Sequence, residues 1–299
     1  MGKRVPVVCA LLMTWAGVVF GIGAYPPAIE GAKVETYKKV GGADLKVWLF
    51  YPTNAPAAGA QAAPLPAVVF FFGGGWRSGS PEQFVPQCRH LAARGMIAAV
   101  ADYRVASRQQ AKPAECVADA KSCVRWLRQN AARLGIDPHR LAAGGGSAGG
   151  HLAAAVATLP GLDEPGEDLS VSCVPNALVL FNPGLMMAPF GGIDMKGFGA
   201  NLTSDRFGCE PQAISPIHHI RKGLPPTLIL HGRADTTVPF VTAEAFRDEM
   251  KKAGNRCELV GYDGQPHGFF NKAKYDETLA EADRFLTALG YLPKKAGTP

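Results

Sequence analysis

The sequence is poor in charge, and the charge that it has is not clustered. Only 19% of the 299 residues are Asp, Glu, Lys or Arg, and the net charge of +6 comes from basic residues scattered along the chain. A run or stripe of Lys and Arg, which nucleic-acid-binding surfaces need, is missing. We therefore expect no nucleic-acid partner.

Metal-binding patterns and internal repeats are missing too. No spacing of His, Cys and Asp resembles a metal site, so neither a metal nor another cofactor is expected. Hydrophobic residues make up 47% of the chain, which indicates a globular protein. A chain of this length can bury a sizeable core without metal or disulfide support.

A basic start followed by a long uncharged apolar run stands at the N-terminus. MGKR is followed by VPVVCALLMTWAGVVFGIGA, which ends in small residues. This pattern predicts a secretory signal peptide over residues 1–24, and an uncleaved membrane anchor is the alternative. We expect a secreted or periplasmic protein with no stable membrane insertion after cleavage.

Cleavage would remove Cys9 and leave six cysteines in an exported chain, where disulfides can form. Cys116 and Cys123 share a predicted helix and lie roughly 10 Å apart along its axis, too far to bond to each other. Cys173 and Cys209 flank a predicted strand and an irregular segment. We predict a disulfide between these two.

Strands first come in a pair and then alternate with helices. The pair flanks Gly41-Gly42 and predicts a hairpin, whereas the alternation predicts a parallel sheet with helices on both faces. The predicted strands are Val34–Val40, Leu45–Tyr51, Ala67–Phe72, Met96–Tyr103, Leu141–Ala143, Ala177–Asn182, Thr227–His231 and Glu258–Tyr262, and the predicted helices are Pro81–Arg94, Pro113–Leu134, Ala148–Thr158, Val241–Ala253 and Tyr275–Leu289.

These elements predict one α/β domain over residues 34–290. A short linker, 25–33, precedes it, and a flexible tail, 291–299, follows it. Residues 185–224 are Gly-rich and irregular. A loop of that length in a compact domain is usually functional, so we expect a lid or a pocket wall there.

The stretch GGGSAGG places Gly145 and Gly149 two residues on either side of Ser147, between a predicted strand and a predicted helix. This pattern is typical of a nucleophile elbow, where larger side chains would collide across the tight turn. The hydroxyl then projects at the carboxyl edge of the sheet, and the Ala148 N–H points into the same space.

A serine nucleophile needs a base that is held by an acid. Asp235 follows the strand ending in LILHG, and His267 follows the next strand. The order Ser, Asp, His is that of α/β-hydrolase triads, and both strands end at the edge where Ser147 lies.

Other residues could compete for these roles. Asp263 is a rival acid. His231 comes before the acid and suits packing or turn support, whereas His151 should lie beside the elbow. We expect His218 and His219 on the lid or the surface.

FFFGGGW follows the third strand and supplies backbone N–H donors for an oxyanion, although an ordinary strand-ending turn would look the same. Trp76 adjoins these glycines and could stack on a sugar ring or simply pack. Met187 and Phe190 of the irregular segment could line a small acyl pocket or form lid core.

Together with ADYR and HGRADTTVP, these motifs resemble the acetyl-esterase/lipase branch of the α/β-hydrolase superfamily, which is related to hormone-sensitive lipase. The similarity runs from about Val34 to Leu289. It implies the α/β-hydrolase fold and these roles: nucleophile Ser147, acid Asp235, base His267, and an oxyanion hole of the Gly74, Gly75 and Ala148 N–H groups.

Two departures from that family matter. Phe72 stands where the family commonly has a histidine that braces the glycine loop, so another group must brace it here. The N-terminal cap helices are missing, which favours an open site like that of exported acetylxylan and feruloyl esterases. We therefore expect a secreted serine carboxylesterase that hydrolyses short-acyl esters, acetyl esters first, of small molecules or polysaccharides. Two alternatives remain: a prolyl-oligopeptidase-like peptidase and a non-catalytic binding module.

Overall fold

The fold is an eight-stranded sheet in the order β1-β2-β4-β3-β5-β6-β7-β8, given by a computed structural model that describes residues 25–53, 63–195 and 202–294. β1 and β2 form the predicted antiparallel hairpin, β2 is antiparallel to β4, and the other neighbours are parallel. The strands are β1 Lys33–Val40, β2 Ala43–Phe50, β3 Leu65–Phe71, β4 Ile97–Ala101, β5 Ile136–Gly146, β6 Ala177–Phe181, β7 Thr227–Gly232 and β8 Cys257–Tyr262.

Helices cover both faces of the sheet, as predicted. Alternate residues of the central strands pack into two separate hydrophobic cores, one on each face. Val69 and Phe71 of β3 pack into one core, whereas Val68 and Phe70 pack into the other. The helices are α1 Val85–Ala93, α2 Ala106–Gln109, α3 Pro113–Gln129, α4 Ala131–Leu134, α5 Ala148–Thr158, α6 Ser204–Phe207, α7 Phe240–Lys252 and α8 Tyr275–Ala288.

The long helix predicted over Pro113–Leu134 is broken at Asn130. The side-chain amide of Asn130 donates to the Trp126 carbonyl at 2.9 Å and competes with the helical hydrogen bonds. α4 then ends at Leu134, and Gly135 caps it in the left-handed conformation with a φ of 72°.

β5 is longer than predicted and continues through its glycines up to the elbow. A Cβ on Gly144 would lie 2.6 Å from the Phe70 ring, and one on Gly146 would lie 2.4 Å from the Phe270 ring. Glycine is needed here because aromatic rings from β3 and from the segment after β8 cover this strand.

The structure bears on the predicted tail but not on the predicted signal peptide. The predicted signal peptide and residues 295–299 lie outside the described residues, in which no helix is long and apolar enough to cross a membrane. Tyr291 and Leu292, placed in the flexible tail by the sequence, are buried in a core. The packed chain therefore extends beyond residue 290.

The cysteine pairing predicted from the sequence is wrong. Cys173 and Cys209 are free thiols, as are Cys88, Cys116, Cys123 and Cys257. The Cys173 Sγ lies 3.9 Å from the Val156 carbonyl oxygen, against α5. Flanking positions in the sequence did not bring the two Cβ atoms together, which a disulfide requires.

Candidate active site

Ser147 occupies a sharp turn between β5 and α5. Its φ of 54° and ψ of −119° are unusual for a residue with a side chain. The turn is fixed on both sides: the Ser147 N–H donates to the Phe181 carbonyl at 2.9 Å, and the Ser147 carbonyl accepts from the His151 N–H at 2.9 Å. Such strain is characteristic of functional sites.

The two flanking glycines are required by close backbone contacts. A Cβ on Gly149 would lie 2.0 Å from the Phe71 carbonyl oxygen, and one on Gly145 would lie 2.5 Å from Gly149 and from the same oxygen. These contacts press the start of α5 against the end of β3, where the glycine loop begins.

The structure brings the three predicted triad residues into one hydrogen-bonded chain. His267 Nε2 lies 2.9 Å from Ser147 Oγ, and His267 Nδ1 lies 2.7 Å from Asp235 Oδ2. Because a carboxylate only accepts, Nδ1 carries the proton and Nε2 is left to accept from the serine hydroxyl. This arrangement suits proton transfer from the serine.

The rival residues lie elsewhere. The Asp263 side chain is 93% exposed and pairs with Arg233. His151 is fully buried with Nε2 at 2.8 Å from the Ile214 carbonyl, and burial lowers the pKa of its imidazole to about 4. His218 and His219 bond to backbone carbonyls of the irregular segment.

Asp235 is surrounded by donors. Its Oδ1 accepts from the N–H groups of Thr237 at 2.9 Å and Val238 at 2.8 Å. Burial raises the pKa of this carboxyl, but hydrogen bonds from His231, His267 and the Val238 N–H outweigh burial and hold the pKa far below its ordinary value. The carboxylate is therefore ionised at neutral pH.

Sequence reasoning missed Asn182. Its Nδ2 donates to Asp235 Oδ2 at 2.6 Å, and its φ of 44° is in the region that Asn tolerates better than most residues. The available signal was its position, directly after the buried strand β6 at the same sheet edge as the triad.

The glycine loop, residues 73–75, lies beside the elbow. A Cβ on Gly73 would lie 3.2 Å from Ser147 Cβ, so the loop and the serine are in contact. Gly74 and Gly75 have φ values of 131° and 64°, which favour glycine. Within the described residues, the N–H groups of Gly74, Gly75 and Ala148 make no backbone hydrogen bond.

The brace that the missing histidine would supply comes from two other side chains. Gln83 Oε1 accepts from the Gly73 N–H at 2.6 Å, and the Tyr103 hydroxyl donates to the Phe72 carbonyl at 2.7 Å. The Phe72 ring stacks on Tyr103 with centroids 4.2 Å apart. Both ends of the Phe72–Gly73 peptide are thus held.

Replacing Gln83 with leucine should lower kcat/KM about tenfold, because a buried N–H without a partner costs about 1–3 kcal/mol and lets the loop shift. Gln83→Glu, which still accepts, should retain most activity. Gln87→Leu is the matched control, since Gln87 is buried nearby and bonds Asn271 at 2.8 Å instead of the loop. Equal loss of kcat/KM in the Gln83 and Gln87 leucine variants, measured with p-nitrophenyl butyrate, would contradict the role of the brace.

An apolar cavity of about 250 Å³ opens at Ser147. Gly75, Trp76 and Ala148 lie at its base, and much of its wall comes from the irregular segment. The apolar side chains of the wall are Met186, Met187, Met195, Leu202, Val238 and Pro239.

The three residues predicted to contact substrate occupy different places in the structure. Met187 and Trp76 line the cavity, but Trp76 is only 7% exposed and packs edge-on against His151 and Phe207. It is a buried wall and cannot stack on a sugar ring. Phe190 is not among the described residues lining the cavity, because it packs against His218 with centroids 5.2 Å apart.

In the described parts of the chain, no group of three or more His, Cys, Asp or Glu residues could hold a metal ion.

Curated relatives are esterases. Esterase LipC of Mycobacterium tuberculosis is 31% identical over 220 residues, 69% of this chain and 53% of that protein. Carboxylesterase NlhH of the same species is 30% identical over 238 residues, 75% of this chain and 73% of that protein. The chain spans about half the length of most of the relatives that it matches best, such as LipC.

A solved structure agrees over more of the chain. Esterase 2 of Thermogutta terrifontis with propionate bound is 51% identical, with a TM-score of 0.84, and the match covers 91% of this chain and 100% of that one. The same esterase has been solved after phosphorylation by paraoxon, with a TM-score of 0.82. A family model described as the alpha/beta hydrolase fold matches residues 68–271, and this chain belongs to that family.

Proposed function

We propose that this protein is a serine carboxylesterase that hydrolyses esters of short acyl groups. The observation that carries the proposal is the position of His267, bonded to Ser147 Oγ at 2.9 Å and to Asp235 Oδ2 at 2.7 Å. A serine, a neutral imidazole and an ionised carboxylate in this order form an activated nucleophile. The likeness to several esterases of the same family supports it.

In the first half of the reaction, Ser147 Oγ attacks the acyl carbon while its proton passes to His267 Nε2. The carbonyl oxygen becomes an oxyanion, and the Gly74, Gly75 and Ala148 N–H groups would donate hydrogen bonds to it. The imidazolium then gives its proton to the alcohol oxygen as the ester C–O bond breaks, and the alcohol leaves.

In the second half, a water molecule replaces the alcohol. His267 takes a proton from the water as the water oxygen attacks the acyl-enzyme. The imidazolium then returns this proton to Ser147 Oγ as the bond from Oγ to the acyl carbon breaks, which releases the carboxylic acid and free Ser147. Asp235 keeps its charge throughout and holds the imidazole in the tautomer that both steps need.

The mechanism is tested directly by covalent labelling. Paraoxon should transfer its diethylphosphoryl group to Ser147 with loss of p-nitrophenolate and stop ester hydrolysis. Mass spectrometry of the digested protein should find the added mass on the peptide that contains Ser147. Full inhibition with the label on another residue would overturn the proposal.

The cavity sets the acyl length. Its volume of about 250 Å³ is below the roughly 300–1,000 Å³ of pockets for drug-sized ligands, so it suits a small apolar group. Thermogutta esterase 2 has been solved with propionate and with butyrate, acids of this size. Buried in its wall, Trp76 gives no support to a sugar platform, so we do not restrict the alcohol to carbohydrates.

We expect kcat/KM for p-nitrophenyl esters to peak between acetyl and butyryl and to fall at least tenfold by octanoyl. Each buried methylene gains about 0.8 kcal/mol until the cavity is full, and forcing further ones into the full cavity costs about 1–3 kcal/mol. Met187→Ala should move the peak to longer chains, whereas Met250→Ala, at a buried methionine of α7 away from the cavity, should not.

Two outcomes of that series would contradict the short-acyl proposal. One is a steady rise to octanoyl, and the other is an unchanged peak in Met187→Ala. Acetate release from acetylated xylo-oligosaccharides, measured in parallel, decides whether carbohydrate esters are substrates. Secretion remains a prediction from residues 1–24.

A further inference from the structure

His231 lies at the end of β7 and makes two contacts through one nitrogen. The residue is fully buried, with Nε2 at 2.8 Å from the Val238 carbonyl oxygen and 3.3 Å from Asp235 Oδ2. Both oxygens can only accept, so Nε2 carries a proton and shares it between them.

These contacts close a ring of hydrogen bonds. The Val238 N–H donates to Asp235 Oδ1 at 2.8 Å, while the Val238 carbonyl accepts from His231, which also faces Asp235 Oδ2. Val238 therefore cannot move without disturbing the carboxylate. Thr237, Val238 and Pro239 line the cavity at Ser147, so the same ring ties the pocket wall to the acid.

We propose that His231 is a positioning residue for ester hydrolysis, which holds the Asp235 carboxylate and the cavity wall Thr237–Pro239 in register through its shared Nε2–H. This inference rests on the proposed triad. His231 touches no substrate in this role, because it acts on the carboxylate that orients His267.

A packing role alone does not explain the geometry. An aromatic residue could fill the space and keep the perpendicular contact with Phe240, whose ring centroid lies 5.7 Å away. Without the imidazole N–H, however, the Val238 carbonyl would lose its partner and the carboxylate one of its donors. The bond from His231 helps to hold the pKa of Asp235 low despite burial.

Few other charges face this cluster. β6 contributes the neutral Asn182, and α7 contributes the Phe240 ring. The loop after β8 contributes His267 on one side and Asp263 on the other, the latter paired with Arg233 at 2.9 Å at the surface. A change in the pH profile of a His231 variant would therefore report on the contact between Asp235 and His267.

The test compares His231→Phe, which keeps an aromatic ring, with His231→Gln, which keeps a side-chain N–H donor. With p-nitrophenyl acetate, His231→Phe should lower kcat about tenfold, the order expected for a lost hydrogen bond to a charged group. The acidic limb of kcat/KM should also move to higher pH. With one donor fewer, the carboxylate attracts the protonated form of His267 more strongly, so the base is protonated at higher pH.

His231→Gln should restore most of kcat and return the acidic limb toward the wild-type position. His151→Phe is the matched control, because His151 is equally buried and bonds one backbone carbonyl at 2.8 Å without reaching Asp235. It should lower thermal stability and leave the limb in place. If His231→Phe moves the limb no more than His151→Phe does, the positioning role is wrong.

A measurement on the unaltered protein covers the case in which His231→Phe does not fold. Nitrogen-15 NMR of histidine-labelled enzyme, with His231 assigned by comparison with His231→Gln, should show a neutral ring protonated on Nε2 in the active pH range. A proton on Nδ1 alone would overturn the proposal. Neither result bears on the nucleophile. A wrong assignment of the nucleophile would show instead as full esterase activity in Ser147→Ala.

Discussion

Replacing Ser147 with alanine is expected to lower kcat for p-nitrophenyl butyrate by about 10⁴-fold to 10⁶-fold, the loss seen when a triad nucleophile is removed. The hydroxyl oxygen forms the bond to the acyl carbon, and no described neighbour is placed to substitute for it. The Ser147 side chain makes no helix-capping bond, so its loss leaves the turn intact. The thermal midpoint should therefore stay close to that of the wild type.

The triad also predicts how this loss combines with others. Ser147→Ala with His267→Ala should be about as slow as either single variant, because the residues act as one unit. Ser122→Ala is a control that removes a buried hydroxyl from α3. The Ser122 hydroxyl donates to the Ala118 carbonyl at 2.8 Å and is not part of the elbow. Ester hydrolysis at wild-type rates in Ser147→Ala, or paraoxon labelling of that variant, would refute the nucleophile.

The sequence was sufficient to predict that Ser147, Asp235 and His267 converge, because each of them follows a strand of recognisable pattern. In a parallel sheet, the carboxyl ends of strands meet at one edge. Ser147, Asp235 and His267 therefore had to converge once β5, β7 and β8 were predicted, and they do. Their order along the chain and the elbow glycines removed most of the remaining ambiguity.

The supporting residues could not be predicted in the same way. Gln83, Asn182 and His231 act through hydrogen bonds that depend on how their loops and strand ends fold, and no local spacing distinguishes them from ordinary polar residues. The residues that line the cavity could not be predicted either, because the packing of an aromatic residue in an irregular segment depends on the path of that segment. The Phe190 ring packs against His218, and the Trp76 ring packs against His151 of α5.

The second large effect concerns Gly149. Gly149→Ala should reduce the free energy of unfolding by about 3 kcal/mol or more, the upper range for overpacking. Helix propensity alone predicts the opposite, since alanine stabilises a helix interior by about 1 kcal/mol over glycine. The contact decides the sign: the new Cβ would lie 2.0 Å from the Phe71 carbonyl oxygen and 2.5 Å from that of Phe72.

Activity should fall with stability in this variant, because the displaced backbone carries the catalytic loop. Phe71 and Phe72 lead directly into Gly73, which contacts Ser147, so moving β3 away from α5 separates the oxyanion donors from the nucleophile. A misplacement of about 1 Å can cost about 100-fold in rate. We expect a loss of that order in kcat at a temperature where the variant is fully folded.

Gly150→Ala, one position further along α5, is the control with which the stability of Gly149→Ala is compared. Its Cβ would lie 2.9 Å from Pro183 Cβ and 3.0 Å from the Gly145 carbonyl oxygen, contacts milder than those of a Cβ on Gly149. Both substitutions gain the same helix propensity, so the difference in their unfolding free energies isolates the contact with β3. Urea denaturation should give the order wild type, Gly150→Ala, Gly149→Ala, from most to least stable. If Gly149→Ala equalled or exceeded Gly150→Ala in stability, steric contact with β3 would not be the reason for glycine after the elbow serine.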